Sequence, residues 1–272
     1  MNAPRACGYF ASHQASNGRG IKLTGRRLLL AGHSHSTALG VPNTSPDAPF
    51  GAVPIDIAGG RVIALPVPGS RTPAYWDAVV EQSVDTTVLL VWNGNQHLAK
   101  FLFEAGKPFD FYIANRPDIA VQPVDLIPES LIREILDRGN ALLQPFLKRL
   151  QGVPGCKTVL LGTPPPKGDD GVLRQLVSKE VYFVEMAERM GFDLNTITFT
   201  DRLVRRKLWL VVQDLLAEAA DAAGSAFMPV PEAVMDDEGF LKKELWREDA
   251  THANPEYGRV FWDSMLSKVI AA

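Results

Sequence analysis

The sequence predicts an α/β protein with a mostly parallel sheet of five strands. Three observations support this fold class. Short continuous apolar runs alternate with segments of helical period, glycines close both kinds of segment, and 272 residues with 46% hydrophobic content suffice for a sizeable core. Because strands buried on both faces read as continuous apolar runs, this alternation is typical of parallel strands joined by helical crossovers.

Five segments have the composition of buried strands, and a glycine or proline stands in or beside each of them. The predicted strands are RLLLAG (27–32), RVIALP (61–66), TTVLLVWNG (86–94), KTVLLG (157–162) and SAFMPV (225–230).

Segments of helical period fill the intervals between these strands. A helix-like segment begins with STALG after the first strand. Further helices are predicted for PAYWDAVVEQ (73–82), the stretch 128–150, VLRQLVSKEVYFVEMAERMG (172–191), DRLVRRKLWLVVQDLLAEAADAAG (201–224) and NPEYGRVFWDSMLSKVI (254–270). Gly191 and Gly224 are expected to end two of them, and Pro255 stands near the first turn of the last.

The chain divides into a flexible N-terminal arm and a single domain. Residues 1–25 are rich in Gly, Ser, Asn and Ala and show neither period, whereas residues 26–272 contain no repeat and no linker. Residues 97–127 are the least regular interior part and are rich in aromatic side chains, so we expect them to form a lid or a pocket wall.

Composition argues against several classes of partner. Lys plus Arg at 28 and Asp plus Glu at 31 give a net charge of −3, which offers no footprint for nucleic acid or an anionic membrane. Neither Cys7 nor Cys156 has a C-x-x-C partner, and the apolar run after Arg26 and Arg27 is shorter than an export signal. We expect a reduced, cytoplasmic protein with a small-molecule substrate and no cofactor. Its oligomeric state is left open.

Polar residues follow the predicted strands at the edge of the sheet where ligands of such folds bind. The candidates are Gly32-His33-Ser34-His35 after the first strand, Pro68-Gly69-Ser70 after the second, Asn93-Gly94-Asn95-Gln96-His97 after the third, and Asp249 with His252 near the C-terminus.

These residue types supply the parts of an acyl-transfer site. A serine hydroxyl needs a base to take its proton, and a neutral imidazole needs a partner that fixes its tautomer, which Ser34, His252 and Asp249 can provide in that order. The backbone N–H groups of Ser34 and Gly69 and the side-chain amide of Asn95 are suited to stabilise an oxyanion.

The four blocks resemble those of the SGNH, or GDSL-like, hydrolases over roughly residues 27–265. That family carries a serine, a glycine, an asparagine and a D-x-x-H in this order, and D-A-T-H-A-N-P-E-Y-G (249–258) is similar to its last block. The resemblance implies a three-layer flavodoxin-like sheet and esterase or acyltransferase chemistry. The chain departs from the family at Gly32-His33-Ser34 in place of G-D-S and at Asn93-Gly94-Asn95-Gln96 in place of G-x-N-D.

Other interpretations stay open for single residues. Ser36 competes with Ser34 as nucleophile, Ser34 alone has the sequence context of a helix N-cap, and Asn95 that of a turn residue. Asn93 competes with Asn95, and Gly59 and Gly60 compete with Gly69. The basic cluster Arg202, Arg205, Arg206 and Lys207 reads as the solvated face of a helix.

Two alternatives concern the whole site. A zinc site is suggested by four histidines that would lie on one rim: His33, His35, His97 and His252. However, on an extended backbone the side chains of residues 33 and 35 would point to opposite faces, and no metal-ligand motif appears. We therefore assign no metal, and treat His33, His35 and His97 as candidates for substrate contact. The second alternative is a catalytically inactive scaffold, indicated by the altered first and third blocks.

Overall fold

The computed structural model describes residues 27–45, 50–57, 60–68 and 72–270, with side chains described through Met265. The predicted N-terminal arm lies outside the described residues, as do Gly59, Gly69 and Ser70.

Ten strands and eight α-helices make up the described structure. The strands are β1 Arg27–Gly32, β2 Asn43–Thr44, β3 Val53–Ile57, β4 Gly60–Ala64, β5 Val67–Pro68, β6 Thr86–Val91, β7 Phe109–Asp110, β8 Asp125–Leu126, β9 Lys157–Leu161 and β10 Ala226–Met228. The helices are α1 Pro73–Glu81, α2 Gln96–Phe101, α3 Glu129–Asp137, α4 Leu143–Gln151, α5 Asp170–Val177, α6 Val181–Met190, α7 Arg202–Ala222 and α8 Pro255–Ile270. Short 3₁₀ helices span Ser34–Leu39, Arg138–Asn140, Glu232–Val234 and Lys243–Leu245.

The central sheet has the order β10-β9-β6-β1-β4-β3. The five predicted strands are all present and parallel to their neighbours, and the sixth, β3, pairs antiparallel with β4. The prediction of five strands is therefore wrong in number. In β3, VPIDI, exposed and half-buried residues alternate, because an edge strand covered on one face has no continuous apolar run to reveal it.

The order of the five parallel strands is that of a flavodoxin-like fold, as the family resemblance implies. All six residues of β6 are buried, although successive side chains point to opposite faces of the sheet. Both faces are therefore covered, which makes three layers and confirms the α/β class. From β1 the chain first adds β4 on one side and then β6, β9 and β10 on the other, so the strand order reverses between β1 and β6. The carboxyl ends of these two strands therefore border the crevice in which such folds bind ligands.

Two helix predictions need correction. The helix predicted for 172–191 is two helices, α5 and α6, because Glu180 between them has an extended backbone (φ −97°, ψ 116°). The helix predicted to begin at STALG is a six-residue 3₁₀ helix that ends at Gly40 (φ 101°). Gly191 and Gly224, with φ of 71° and 56°, follow α6 and α7 as predicted. Within the described part of the chain, no helix combines the length and apolar character needed to cross a membrane.

The segment 97–127 is anchored to α7 by buried ion pairs. Lys207, 1% exposed, pairs with Asp110 and donates from Nζ to the Phe111 carbonyl at 2.9 Å. Arg116 Nη2 likewise donates to Asp214 Oδ1 at 2.7 Å.

The interpretation of the basic cluster as a solvated helix face is wrong for two of its members. Arg205 is 0% exposed, pairs with Asp170 and donates to the Thr200 carbonyl. Lys207 is also buried, and it forms an ion pair with Asp110. Their ion-pair partners Asp170 and Asp110 lie on other elements, so the spacing of charges within α7 could not reveal them. Arg202 lies at the surface, where it pairs with Glu238.

Candidate active site

The first strand ends in a close approach of two backbones. Gly32 has φ +140°, and a Cβ there would lie 2.0 Å from the Val91 carbonyl oxygen on β6, so only glycine fits. The Gly32 N–H donates to the Tyr75 hydroxyl at 2.9 Å, and the His33 N–H donates to the Val91 carbonyl at 2.8 Å. These bonds fix the start of the β1 turn, the name used below for residues 32–37.

Ser34 is the first residue of the 3₁₀ helix and is partly exposed. The N-cap position belongs to His33, which makes no side-chain capping bond, so Ser34 does not serve as a cap. Thr37 Oγ1 donates to the Ser34 carbonyl at 2.7 Å and tightens the turn. Among the described residues Ser34 Oγ has no hydrogen-bond partner, whereas the rival Ser36 is 0% exposed and its hydroxyl is enclosed. Of the two hydroxyls, Ser34 is the accessible one.

Asp249 and His252 form a hydrogen-bonded pair. His252 Nδ1 lies 3.0 Å from Asp249 Oδ2, while Asp249 Oδ1 accepts the backbone N–H groups of Thr251 at 3.0 Å and His252 at 2.7 Å. With a proton on Nδ1, the imidazole presents Nε2 as a base, and that atom is buried without a hydrogen-bond partner among the described residues.

The pKa of Asp249 lies well below its usual range. Partial burial raises it, but the hydrogen bond and charge of His252, a backbone N–H and the positive Lys167 lower it by more. The carboxylate is therefore ionised at neutral pH, and it can stabilise an imidazolium that forms beside it.

The histidine loop, residues 247–252, lies against the β1 turn. Arg247 Nη1 is 3.4 Å from Thr37 Oγ1, and the rings of His35 and His252 pack at 4.8 Å between centroids, tilted by 44°. Helix α8 supports the contact, since a Cβ on Gly258 would lie 2.1 Å from the Ala38 carbonyl oxygen. No hydrogen bond joins Ser34 Oγ to His252 Nε2 in the described part of the chain. Such bonds often tighten only when substrate is bound.

His35 is the neighbour of His252 inside this contact and is 4% exposed. Burial first, and then the charge of a protonated His252, hold the pKa of His35 well below its ordinary value of 6.5. His35 is therefore a neutral packing partner of the His252 ring at neutral pH.

The loop after β6 supplies the asparagine candidates. Asn93 has φ 46° and its side-chain amide donates to the Gly139 carbonyl, so this amide is already engaged. Asn95 precedes α2, is partly exposed and makes no capping bond, and its amide has no partner among the described residues. Of the two, Asn95 has the amide free to meet a ligand. Gly60 begins β4, at the opposite end of the strand from the carboxyl edge, which removes one competitor of Gly69.

The other two histidines occupy different surroundings. The His33 ring packs against Trp76 at 5.2 Å and Trp92 at 4.8 Å between centroids and so joins an aromatic cluster of the core. His97 is 3% exposed, and burial together with the charge of Arg205 lowers its pKa to about 3. His97 is thus enclosed rather than presented on the rim. The described residues contain no group of three or more His, Cys, Asp or Glu side chains placed to hold a metal ion.

Two residues that contact the histidine loop were missed by the sequence reasoning. Lys167 donates from Nζ to the Arg247 carbonyl at 2.7 Å and to the Asp249 carbonyl, and the Glu180 carboxylate accepts the Ala250 N–H. Lys167 follows β9 in P-P-P-K-G, so inspection of the residues after the fourth strand would have singled it out. Glu180 lies within what reads as one continuous helix, and no local signal marks it.

No family model matches the chain, and no curated protein matches it. Among solved structures it is similar to Axe2, an acetylxylan esterase from Geobacillus stearothermophilus, with 10% identity and a TM-score of 0.44 over 90% of this chain and 94% of that one. A variant of Axe2, described as an acetyl-xylooligosaccharide esterase, gives 14% identity and a TM-score of 0.47 over the same shares. Est24, a carbohydrate acetylesterase from Sinorhizobium meliloti, gives 12% identity and a TM-score of 0.42 over 90% of this chain and 99% of that one.

Proposed function

We propose that the protein is a serine-dependent esterase that hydrolyses an O-acyl or carboxylic ester of a small molecule. Ser34 is the nucleophile, His252 the general base and Asp249 the group that orients and stabilises the imidazole. The backbone N–H of Ser34, the Asn95 amide and the N–H of Gly69 are the proposed oxyanion donors.

In the first half of the reaction, Ser34 Oγ attacks the acyl carbonyl while His252 Nε2 takes the hydroxyl proton. The carbonyl oxygen becomes an oxyanion held by the three donors. Collapse of the tetrahedral intermediate breaks the ester bond, and the imidazolium returns the proton to the departing alcohol. Water then attacks the acyl-serine by the same route and releases the acid, whereas an alcohol in place of water would make the same site an acyltransferase.

The observation that carries this proposal is the use of both Asp249 oxygens. One accepts two backbone N–H groups and the other lies 3.0 Å from His252 Nδ1, so the carboxylate fixes the tautomer and the orientation of the ring together. The unpartnered Nε2 lies in the loop that contacts the Ser34 turn, where a base for that hydroxyl is required.

The test is turnover of 4-nitrophenyl acetate by wild type, Ser34→Ala and Ser36→Ala. Loss of the nucleophile removes the covalent route, so we expect Ser34→Ala to lose at least about a thousandfold in kcat. Ser36→Ala is the matched control on the same turn and should keep most of the activity. Retention of more than about a tenth of the activity by Ser34→Ala would exclude this residue as nucleophile, and absence of turnover in wild type would favour an inactive scaffold.

A further inference from the structure

Two ionisable side chains from distant parts of the chain hold the backbone of the histidine loop. Lys167 is 2% exposed, and its ammonium donates to the carbonyls of Arg247, at 2.7 Å, and Asp249. Glu180, at the start of α6, accepts the N–H of Ala250. The two side chains therefore bind the loop backbone at three residues, 247, 249 and 250.

The bonds within the loop leave these backbone groups without internal partners. The Arg247 N–H donates to the His252 carbonyl at 3.2 Å and closes the loop, while Asp249 Oδ1 takes the N–H groups of Thr251 and His252. Ala250 is 0% exposed, so its N–H needs a partner from the protein. Lys167 and Glu180 complete the hydrogen bonding that the loop cannot make by itself.

Ionisable groups are a costly way to meet this need, because burial penalises their charged forms. Burial is the main cause that lowers the pKa of Lys167 to about 8, and it also raises the pKa of Glu180. The Lys167 ammonium also lies 5.5 Å from the centre of the Trp246 ring, which restricts it from the other side. Groups perturbed in this way concentrate at functional sites more than in ordinary loop packing.

We propose that Lys167 and Glu180 are positioning residues, which fix the histidine loop so that the Asp249 carboxylate and the His252 imidazole keep the geometry that catalysis requires. This inference rests on the proposed function of that pair. Neither residue contacts the reacting atoms, so each acts through the backbone of residues 247–250. A displaced loop would weaken the bond from His252 Nδ1 to Asp249 and move Nε2 away from Ser34.

Lys167→Met tests the first contact, because methionine has a similar length and no donor. Displacement of a catalytic group by about 1 Å costs on the order of a hundredfold. We therefore expect kcat to fall about a hundredfold while KM changes little. Lys243→Met is the matched control, since Lys243 Nζ lies 6.0 Å from the centre of the same Trp246 ring but bonds Asp169 instead of the loop. It should leave kcat unchanged.

Glu180→Ala and Glu180→Gln test the second contact. The alanine variant removes the acceptor for the Ala250 N–H and should lower kcat, whereas glutamine retains a carbonyl acceptor and should restore most of it. Glu188→Gln, an exposed site on the same helix, is the control. Circular dichroism melts identify any variant that fails to fold. If Lys167→Met fails to fold, the comparison of Glu180→Ala with Glu180→Gln still tests the proposal.

Proton NMR detects the hydrogen bond between His252 and Asp249 without relying on turnover. The His252 Nδ1–H bonded to a carboxylate should give a far-downfield resonance in wild type, Lys243→Met and Glu180→Gln that is lost or broadened in Lys167→Met and Glu180→Ala. If kcat and this resonance are unchanged in both disruptive variants, or wild type lacks the resonance, the positioning role is overturned. If the resonance behaves as expected but no variant or wild type turns over ester, the positioning role stands and the esterase proposal fails.

Discussion

The β1 turn and the histidine loop face each other across the candidate site but are held by different means. The β1 turn is fixed by backbone geometry: Gly32 at positive φ, a ladder bond from His33 to Val91 and the Thr37 bond to the Ser34 carbonyl. The histidine loop is fixed by ionisable side chains, Lys167 and Glu180, from other segments. The position of Ser34, the proposed nucleophile, therefore follows from strand register, and that of His252, the proposed base, from long-range packing.

This difference explains which parts of the site the sequence predicts. Ser34 follows a recognisable buried strand, so its place on the rim follows from residues 27–34 alone. The contacts that hold the histidine loop join residues 82 apart for Lys167 with Asp249 and 70 apart for Glu180 with Ala250. Periodicity and local spacing carry no information about such pairs. The order of the four blocks predicts only that Asp249 and His252 belong together, and the structure places their side chains 3.0 Å apart.

The same reason accounts for the errors in the fold. The sequence pattern identified all five parallel strands, because each contains a continuous apolar run. The pattern did not identify β3, because its residues are exposed or half-buried and form no continuous apolar run. It also missed the break at Glu180, because the helical period continues through α5 and α6 on both sides of this residue. The charge pattern of α7 also placed Arg205 and Lys207 in solvent, because their ion-pair partners Asp170 and Asp110 lie on other elements.

The largest effect is expected from Asp249→Asn. An asparagine that accepts the backbone N–H groups turns its amide toward His252 Nδ1 and favours the wrong tautomer, so kcat should fall by about 10⁴-fold. Steady-state turnover measures the change, with Asp263→Asn on the surface of α8 as control. A loss below about tenfold would mean that this carboxylate does not orient the base.

Gly32→Ala tests the backbone geometry that fixes the β1 turn. The added Cβ would lie 2.0 Å from the Val91 carbonyl oxygen at a φ of +140°, so we expect at least about 4 kcal/mol of lost unfolding free energy. Gly191→Ala, at positive φ but with no atom within 4 Å, should cost only about 1 kcal/mol. Urea unfolding compares them, and equal costs would refute the close-approach argument.

Asn95→Ala distinguishes the two asparagines of the loop after β6. Loss of one oxyanion donor should reduce kcat by about 10²- to 10³-fold and leave KM nearly unchanged. Asn93→Ala removes a bond to the Gly139 carbonyl and should act mainly on the melting temperature. If Asn93→Ala gives the larger loss of kcat without destabilising the fold, the oxyanion role belongs to Asn93.

The smallest effect is a dependence of stability on pH. The folded pKa values of His35 and His97 lie below the value of 6.5 expected in the unfolded chain, so below pH 6.5 the unfolded state binds protons that the folded state does not. Their contribution is fully present above about pH 6.5 and is lost as the pH falls toward the folded pKa. Between pH 7 and 5.5 we expect a loss of about 1 kcal/mol from His97 and a further loss in the same direction from His35.

Urea unfolding at these two pH values measures the loss, and His97→Asn should reduce the slope by its own share. A variant with an unchanged slope would indicate that His97 titrates normally in the folded protein.

The central claim is that the Ser34 hydroxyl is a nucleophile activated by His252, and covalent labelling tests it most directly. Wild type, Ser34→Ala, Ser36→Ala and His252→Ala are treated with a fluorophosphonate, and the modified residue is located by peptide mass spectrometry. The account predicts one adduct on Ser34 in wild type and Ser36→Ala, none in Ser34→Ala, and slow labelling in His252→Ala. An adduct on Ser36, labelling of Ser34 that is as fast without His252, or no adduct on the folded wild-type protein would contradict it.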